Sequence, residues 1–162
     1  MIRVGIGYDS HRFAAGGPLV LGGLRIDAPV HLAGHSDGDA VCHAVTDAIL
    51  GAVGLGDIGA LFPDTAAENA GRDSVEMLSL ALERVHADGW QVNQVDVVVI
   101  AQEVRIAPHR DAMRERLAAV LQVAVRDVSV KGKTNERMGW IGRAEGLAVI
   151  ATATLVARPR PD

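Results

Sequence analysis

The chain has 162 residues, 49% of them hydrophobic and 22% charged, which fits one folded domain of ordinary size with a substantial core and not a disordered chain. A formal net charge of −4 argues against an extended nucleic-acid footprint, and Cys42, the one cysteine, leaves no internal disulfide. The most apolar run, residues 147–157, is short and interrupted by Thr152 and Thr154, so no membrane span is expected; Met1-Ile2-Arg3-Val4 lacks a signal-peptide layout, and the expected location is the cytoplasm.

In chain order, Ile2 to Gly7 alternates apolar with small or charged residues and predicts a first strand ending just before Asp9. Leu19 to Leu21 and Leu24 to Ile26, separated by Gly22-Gly23, read as a hairpin. Ser36-Asp37-Gly38-Asp39 has the form of a capping box with Ser36 as N-cap, opening a helix that runs to about Gly54. Arg72 to Asp88 reads as a second helix closed by Gly89, and Val97 to Ala101 as a strand buried on both faces. Pro108 to Val123 is expected to be a third helix with its proline near N1. Val128 to Val130 and Gly146 to Val156 are the last strands, and 158–162 is a polar tail expected to be disordered. The sum is a single α/β domain over 1–157, mainly a β-sheet layer covered by about three helices.

Two clusters carry metal-ligand chemistry. Asp9 and His11 are two residues apart, so an extended backbone puts both side chains on one face. His35 and His43 flank Asp37 and Asp39, and His43 lies about 200° around the helix from the apolar stripe Val41, Val45, Ala48, Ile49 and Ala52. Asp47, at i+4 from His43, is placed to orient the imidazole. Nitrogen ligands favour Zn²⁺ over Mg²⁺, although on spacing alone a metal site and a set of ordinary polar residues both remain open. Cys42 reads as helix packing. The glycine-rich run 54–64 allows close approach of a ligand, with Asp57 and Asp64 as acceptors, or is a plain turn. Lys131-Gly132-Lys133-Thr134-Asn135-Glu136-Arg137 offers cations, a hydroxyl and a carboxylate for phosphate and a hard divalent ion, or is a solvated charged turn; it lacks P-loop spacing.

Taken together these runs resemble the 2-C-methyl-D-erythritol 2,4-cyclodiphosphate synthase family of the non-mevalonate isoprenoid pathway. The resemblance extends from Gly5-Ile6-Gly7-Tyr8-Asp9-Ser10-His11-Arg12-Phe13 to Arg143-Ala144-Glu145-Gly146. Its most specific part is His35-Ser36-Asp37-Gly38-Asp39, His43-Ala44, Asp47-Ala48, Leu50-Gly51-Ala52, Gly56-Asp57-Ile58-Gly59 and Phe62-Pro63-Asp64. It implies Asp9, His11 and His43 as zinc ligands, His35 and Thr134 as the catalytic pair steadying the reacting phosphates, and Glu136 as ligand of a second ion, Mg²⁺ or Mn²⁺. It implies substrate contacts at Ser10, Ser36, Asp57, Ile58, Gly59, Phe62, Pro63 and Asp64, and at Asn135. It implies a cytidine pocket over the run Ala101 to Ala107, with Arg105 and Ile106 in it; with 3% aromatic residues, base recognition by backbone and aliphatic groups is expected. Lys133 stands where some members carry a hydroxyl residue, a departure from the pattern. The implied reaction is conversion of 4-diphosphocytidyl-2-C-methyl-D-erythritol 2-phosphate to the cyclic diphosphate with release of CMP. The implied assembly is a homotrimer with active sites between subunits, with Trp140, Arg143 and Glu145 lining a central cavity for an isoprenoid diphosphate. A zinc phosphohydrolase and a non-enzymatic, metal-stabilised binding protein are the alternatives.

Overall fold

The computed structural model describes residues 1–158. β1 (Ile2–Ala15) does not stop before Asp9 as expected but continues through both Asp9 and His11. Polar side chains in its second half do not end it, because the strand is paired on both sides: with β4 (Val30–Ala33) from Arg12 to Ala15 and with β7 (Gly146–Ala157) from Ile2 to Arg12. Between β1 and β4 lies the expected hairpin, β2 (Leu19–Leu21) and β3 (Leu24–Ile26), turned by Gly22 and Gly23, both at positive φ.

α1 (Ala40–Val53) is capped by Asp39, not Ser36. The Asp39 carboxylate accepts from Val41 N and Cys42 N at the helix start and from Gly22 N and Gly23 N in the hairpin turn. A buried carboxylate needs this many donors, and here they fasten the hairpin to the helix. The single turn α2 (Ile58–Leu61) follows, and then α3 (Ser74–Ala87), which starts two residues later than expected because Asp73 is its N-cap. β5 (Trp90–Ile100) is longer than the apolar run that announced it. α4 (Arg110–Leu121) is preceded by a 3₁₀ turn, Ala107–His109, which takes Pro108. β6 (Val128–Lys133), the single turn α5 (Gly139–Gly142) and β7 complete the chain. Of the expected tail, 159–162 lie outside the described residues; Arg158 N still donates to Gly89 O.

Five strands form a mixed sheet in the order β4-β1-β7-β5-β6, antiparallel except for the parallel pair β5 and β6, while β2 and β3 pair apart as a two-stranded sheet. α1, α3 and α4 pack on one face, so the expected sheet layer with three main helices holds. Because cover is on one side only, β5 alternates: Val95, Val97 and Val99 are buried, Asp96, Val98 and Ile100 half-buried. The expectation of a strand buried on both faces is corrected accordingly. On the other face the β1 part is apolar yet open, with Ile2, Val4, Ile6 and Tyr8 between 57% and 71% exposed, a patch of a kind that monomers seldom leave bare.

α1 lies directly on β1. A Cβ added at Gly5 or Gly7 would collide with Ala48 O or Ala44 O of the helix. Ala44, Ala48 and Ala52 are thus used for close packing within the chain. The helix is buried on nearly every side, including Leu50 and Thr46, so the apolar stripe read from the sequence understates its cover. Among the described residues no helix is long and apolar enough to cross a membrane.

Candidate metal and nucleotide site

The alternation of β1 turns Asp9 and His11 to the helix-covered face, and the glycine contact brings the first turn of α1 over them. His11 Nδ1 and His43 Nδ1 each stand 3.0 Å from the same oxygen, Asp9 Oδ2. One ligand atom from each of the three residues lies within 4.8 Å of the others. Burial alone would raise the Asp9 carboxyl, but hydrogen bonds and charge from His11 and His43 outweigh it and hold it at about 2. Burial alone would lower His43; the bond to Asp9 and the charges of Asp9, Asp39 and Asp37 raise it instead. His11 Nδ1 is buried and has no partner with hydrogen-bond geometry, despite its approach to Asp9. Two imidazole nitrogens and an ionised carboxylate, one nitrogen unsatisfied, fit a divalent cation of the zinc type, and three protein ligands leave a position for a substrate atom.

The far side of the His43 ring is held differently from expectation. Asp47 does not touch it; its Oδ1 accepts from Ile58 N at 2.8 Å and so starts α2. His43 Nε2 instead meets Ser74 Oγ at 2.8 Å and Ser36 Oγ at 3.1 Å. Cys42 is fully buried, and burial followed by the nearby Asp39 pushes its thiol well up, as befits a packing residue.

Two cavities border this cluster and a further one lies across the sheet from it. The first, about 160 Å³, is bounded by His11, His43, His35, Ser36 and the α2 segment through Ile58, Gly59, Phe62 and Asp64. Arg72, bound to Asn69 and Glu76, covers the Phe62 ring at 5.2 Å. Asp57 does not line this cavity; it caps α2 at Ala60 N, and Pro63 gives its carbonyl to Asn69. The second, about 450 Å³, is formed by Ala101, Arg105, Ile106 and Ala107 with Lys133 and Thr134. Its floor is tight: a Cβ at Gly132 would come within 2.8 Å of Ile106 Cβ. The third, about 240 Å³, joins Ser10, His11 and Arg12 to Trp140 and Glu145. Ser10, expected among the substrate contacts near the metal ligands, faces this cavity because alternation sends it to the opposite side from Asp9. Arg143 Nε bonds Glu145 at 2.7 Å.

Thr134 donates to Glu136 Oε1 at 2.7 Å, and Asn135 donates to Met138 O. Glu136 and Arg137 both have positive φ, 49° and 61°, a conformation costing non-glycine residues about 1–3 kcal/mol each. The register puts Asp9, Val149, Val99 and Gly132 in one row across four strands. The metal-ligand cluster and the floor of the second cavity therefore stand about 14 Å apart, three strand spacings.

A model of the YgbB family matches residues 2–156. The chain belongs to this family. Relatives include a protein of Gemmatimonas aurantiaca, 66% identical over 157 residues (97% of this chain, 95% of that protein), and one of Neisseria gonorrhoeae, 52% identical over 155 residues (96% and 97%). Both carry the name 2-C-methyl-D-erythritol 2,4-cyclodiphosphate synthase. Among solved structures, the bifunctional IspDF of Campylobacter jejuni superposes with a TM-score of 0.93 at 39% identity, over 97% of this chain and 42% of that one. The IspF of Plasmodium falciparum, in complex with CDP, gives 0.85 at 35%, over 98% and 97%.

Within this YgbB-family chain, Gln102, Glu103 and Val104 of the expected 101–107 run line the second cavity; the walls also contain Asn69 and Met77 in the first cavity and Arg110 in the second, none of which stood out in the sequence. Arg110 had a signal, a cation opening α4 beside the expected nucleotide run. Ser74 had none: it lies 31 positions from the histidine it contacts.

Proposed function

We propose that this chain catalyses the reaction its relatives are named for, cyclisation of 4-diphosphocytidyl-2-C-methyl-D-erythritol 2-phosphate to the 2,4-cyclodiphosphate with release of CMP. The observation that carries the reading is the Asp9, His11 and His43 cluster, which opens directly into the cavity of His35, Ser36, Ile58 and Phe62. The CDP complex named among the similar structures supports a cytidine diphosphate ligand.

A phosphate monoester has a second pKa of about 6, so the 2-phosphate is already an anionic nucleophile near neutral pH and needs no strong base. One of its oxygens forms a bond to the β-phosphorus as the bond from that phosphorus to the α-bridging oxygen breaks, and CMP carries the electron pair away. The catalytic demand is therefore alignment and neutralisation of groups that repel. His35 and the Thr134 hydroxyl serve as donors to phosphate oxygens. Ile58, Gly59 and Phe62 seat the methylerythritol, with Ser36 and Asp64 as polar contacts. The 101–107 segment takes the cytosine, and Lys133 adds charge beside Thr134. Asp9, His11 and His43 would hold zinc, which would supply Lewis acidity and a template, and Glu136 would hold Mg²⁺ or Mn²⁺, which would neutralise diphosphate charge.

Two observations support a homotrimer with shared sites. The sheet face bearing Ile2, Val4, Ile6 and Tyr8 is apolar and open, and the two cavities of one chain are about 14 Å apart, a gap that closes if the nucleotide cavity of one copy meets the metal cluster of the next. In such an assembly Trp140 and Arg143 border a central space suited to an isoprenoid diphosphate. Sedimentation at low micromolar concentration is expected to give a trimer, and Ile6→Glu a smaller species; a stable wild-type monomer refutes the assembly.

The activity test is incubation with the cytidyl substrate in ¹⁸O-labelled water. Equal amounts of CMP and cyclic diphosphate, with no label in either, are expected; incorporated label points to a phosphohydrolase. His43→Ala is expected to lose CMP release and bound zinc together, and full turnover by a zinc-free variant would end the proposal.

A further inference from the structure

The carboxylate of Asp37 accepts Asp39 N at 3.1 Å, Ser74 N at 3.1 Å and the Ser74 hydroxyl. A carboxylate only accepts, and a serine hydroxyl has a single hydrogen to give. With that hydrogen committed to Asp37, the 2.8 Å contact between Ser74 Oγ and His43 Nε2 must run from the imidazole N–H to the serine oxygen. Ser36 Oγ, at 3.1 Å from Nε2 and itself accepting from Gly38 N, can share that N–H as a second acceptor. The hydrogen of a neutral His43 then sits on Nε2, and Nδ1 carries a lone pair. That lone pair faces Asp9 Oδ2 at 3.0 Å. Two acceptors in contact repel unless a positive charge lies between them.

We infer that Ser74 and Asp37 are a positioning pair that fixes the tautomer of His43, holding its hydrogen on Nε2 and turning the Nδ1 lone pair toward Asp9 to receive a divalent cation. The pair spans two elements, since Asp37 lies just ahead of α1 and Ser74 opens α3. It does for His43 what a carboxylate bound directly to a metal-ligating imidazole does elsewhere, with a serine relay inserted. It rests on the metal reading given above.

Two measurements on the full chain test it. In metal-free, ¹⁵N-histidine-labelled protein, at a pH where the ring is neutral, long-range ¹H–¹⁵N correlations report which ring nitrogen of His43 carries hydrogen. Wild type is expected to show the Nε2–H form. In Asp37→Asn the side-chain oxygen at the Oδ2 position keeps Ser74 N, while the NH2 takes the Oδ1 position, giving up the Asp39 N bond but donating to Ser74 Oγ, which frees the hydroxyl to donate to Nε2; a shift toward Nδ1–H is expected. Zinc affinity, read by competition with a chromogenic chelator, is expected to fall about 10- to 100-fold in Asp37→Asn and in Ser74→Ala. Cooperative melting checks that each variant is folded, and Asp37→Asn carries the test if Ser74→Ala is not. Wild-type His43 in the Nδ1–H form, or a folded Asp37→Asn with unchanged tautomer and zinc affinity within about twofold, overturns the inference. A wild-type protein that takes up no zinc defeats the metal reading instead, and the tautomer comparison still decides the role of the pair.

Discussion

Gly7→Ala is the sharpest test of how the fold sets the metal site. The added Cβ would stand 2.9 Å from Ala48 N and nearer still to Ala44 O, both backbone atoms of α1 that no rotamer change can move. Ordinary carbon–oxygen contact is about 3.3–3.6 Å, so the helix must retreat by about 1 Å or more. Overpacking of this kind costs about 1–3 kcal/mol, or roughly 2–12 °C of melting temperature for a chain of this size. His43 precedes Ala44, so the retreat lengthens its 3.0 Å approach to Asp9. Zinc affinity is expected to fall with the melting temperature. Calorimetry and chelator competition on the same sample measure both, with Gly51→Ala as control because nothing lies within 4 Å of its Cβ position. A Gly7→Ala protein with wild-type melting and wild-type zinc affinity would refute the argument that glycine contact sets the site.

Asp39→Ala removes the acceptor of four backbone N–H groups. The lost cap and the unsatisfied donors together are expected to cost about 3 kcal/mol or more, read as a lower denaturant midpoint; a midpoint within experimental scatter of wild type would show that the hairpin does not depend on this carboxylate. Asp96 is lowered below the ordinary carboxylate value because the bond from Lys131 at 2.6 Å outweighs partial burial. Its contribution is therefore present above about pH 4 and is lost as pH falls further, through the folded-state value. For a pair this exposed it is about 0.2–1 kcal/mol. Lys131→Met should melt below wild type at pH 6 and converge with it as the pH falls below the ordinary carboxylate range; a gap that stays constant on acidification contradicts the pairing.

The parts of the site that depend on local period were legible. Asp9 and His11 share a strand face because side chains alternate, and the hairpin at Gly22-Gly23 follows from turn chemistry. What needed the third dimension was partnership. Strand β1 runs past Asp9 only because β7 and β4 pair with it, and neither is near it in sequence. Asp39 outcompetes Ser36 as cap because the hairpin supplies two further donors from 16 and 17 residues upstream. Asp47 looked poised for His43 at helical spacing, but α2 claimed it. Ser74 and Asp37 could not be linked to His43 by any spacing rule, since α3 must first dock on α1. The two-sided burial expected of β5 failed because hydrophobicity records a preference for burial without saying what covers a face, and the helices of this chain cover only one.

The sheet order has a consequence for synthesis. β7, the last strand, sits in the middle of the sheet between β1 and β5. On the ribosome β1 emerges first and its long partner only after roughly 130 further residues, about 7–26 s at ordinary elongation rates. Until then β1 and β5 have no common neighbour and present unpaired edges, and the ligand-bearing stretch of β1 is held at best by its short pairing with β4. A nascent chain should therefore gain its metal-binding competence late and in one step, when β7 enters between strands that have been waiting for it.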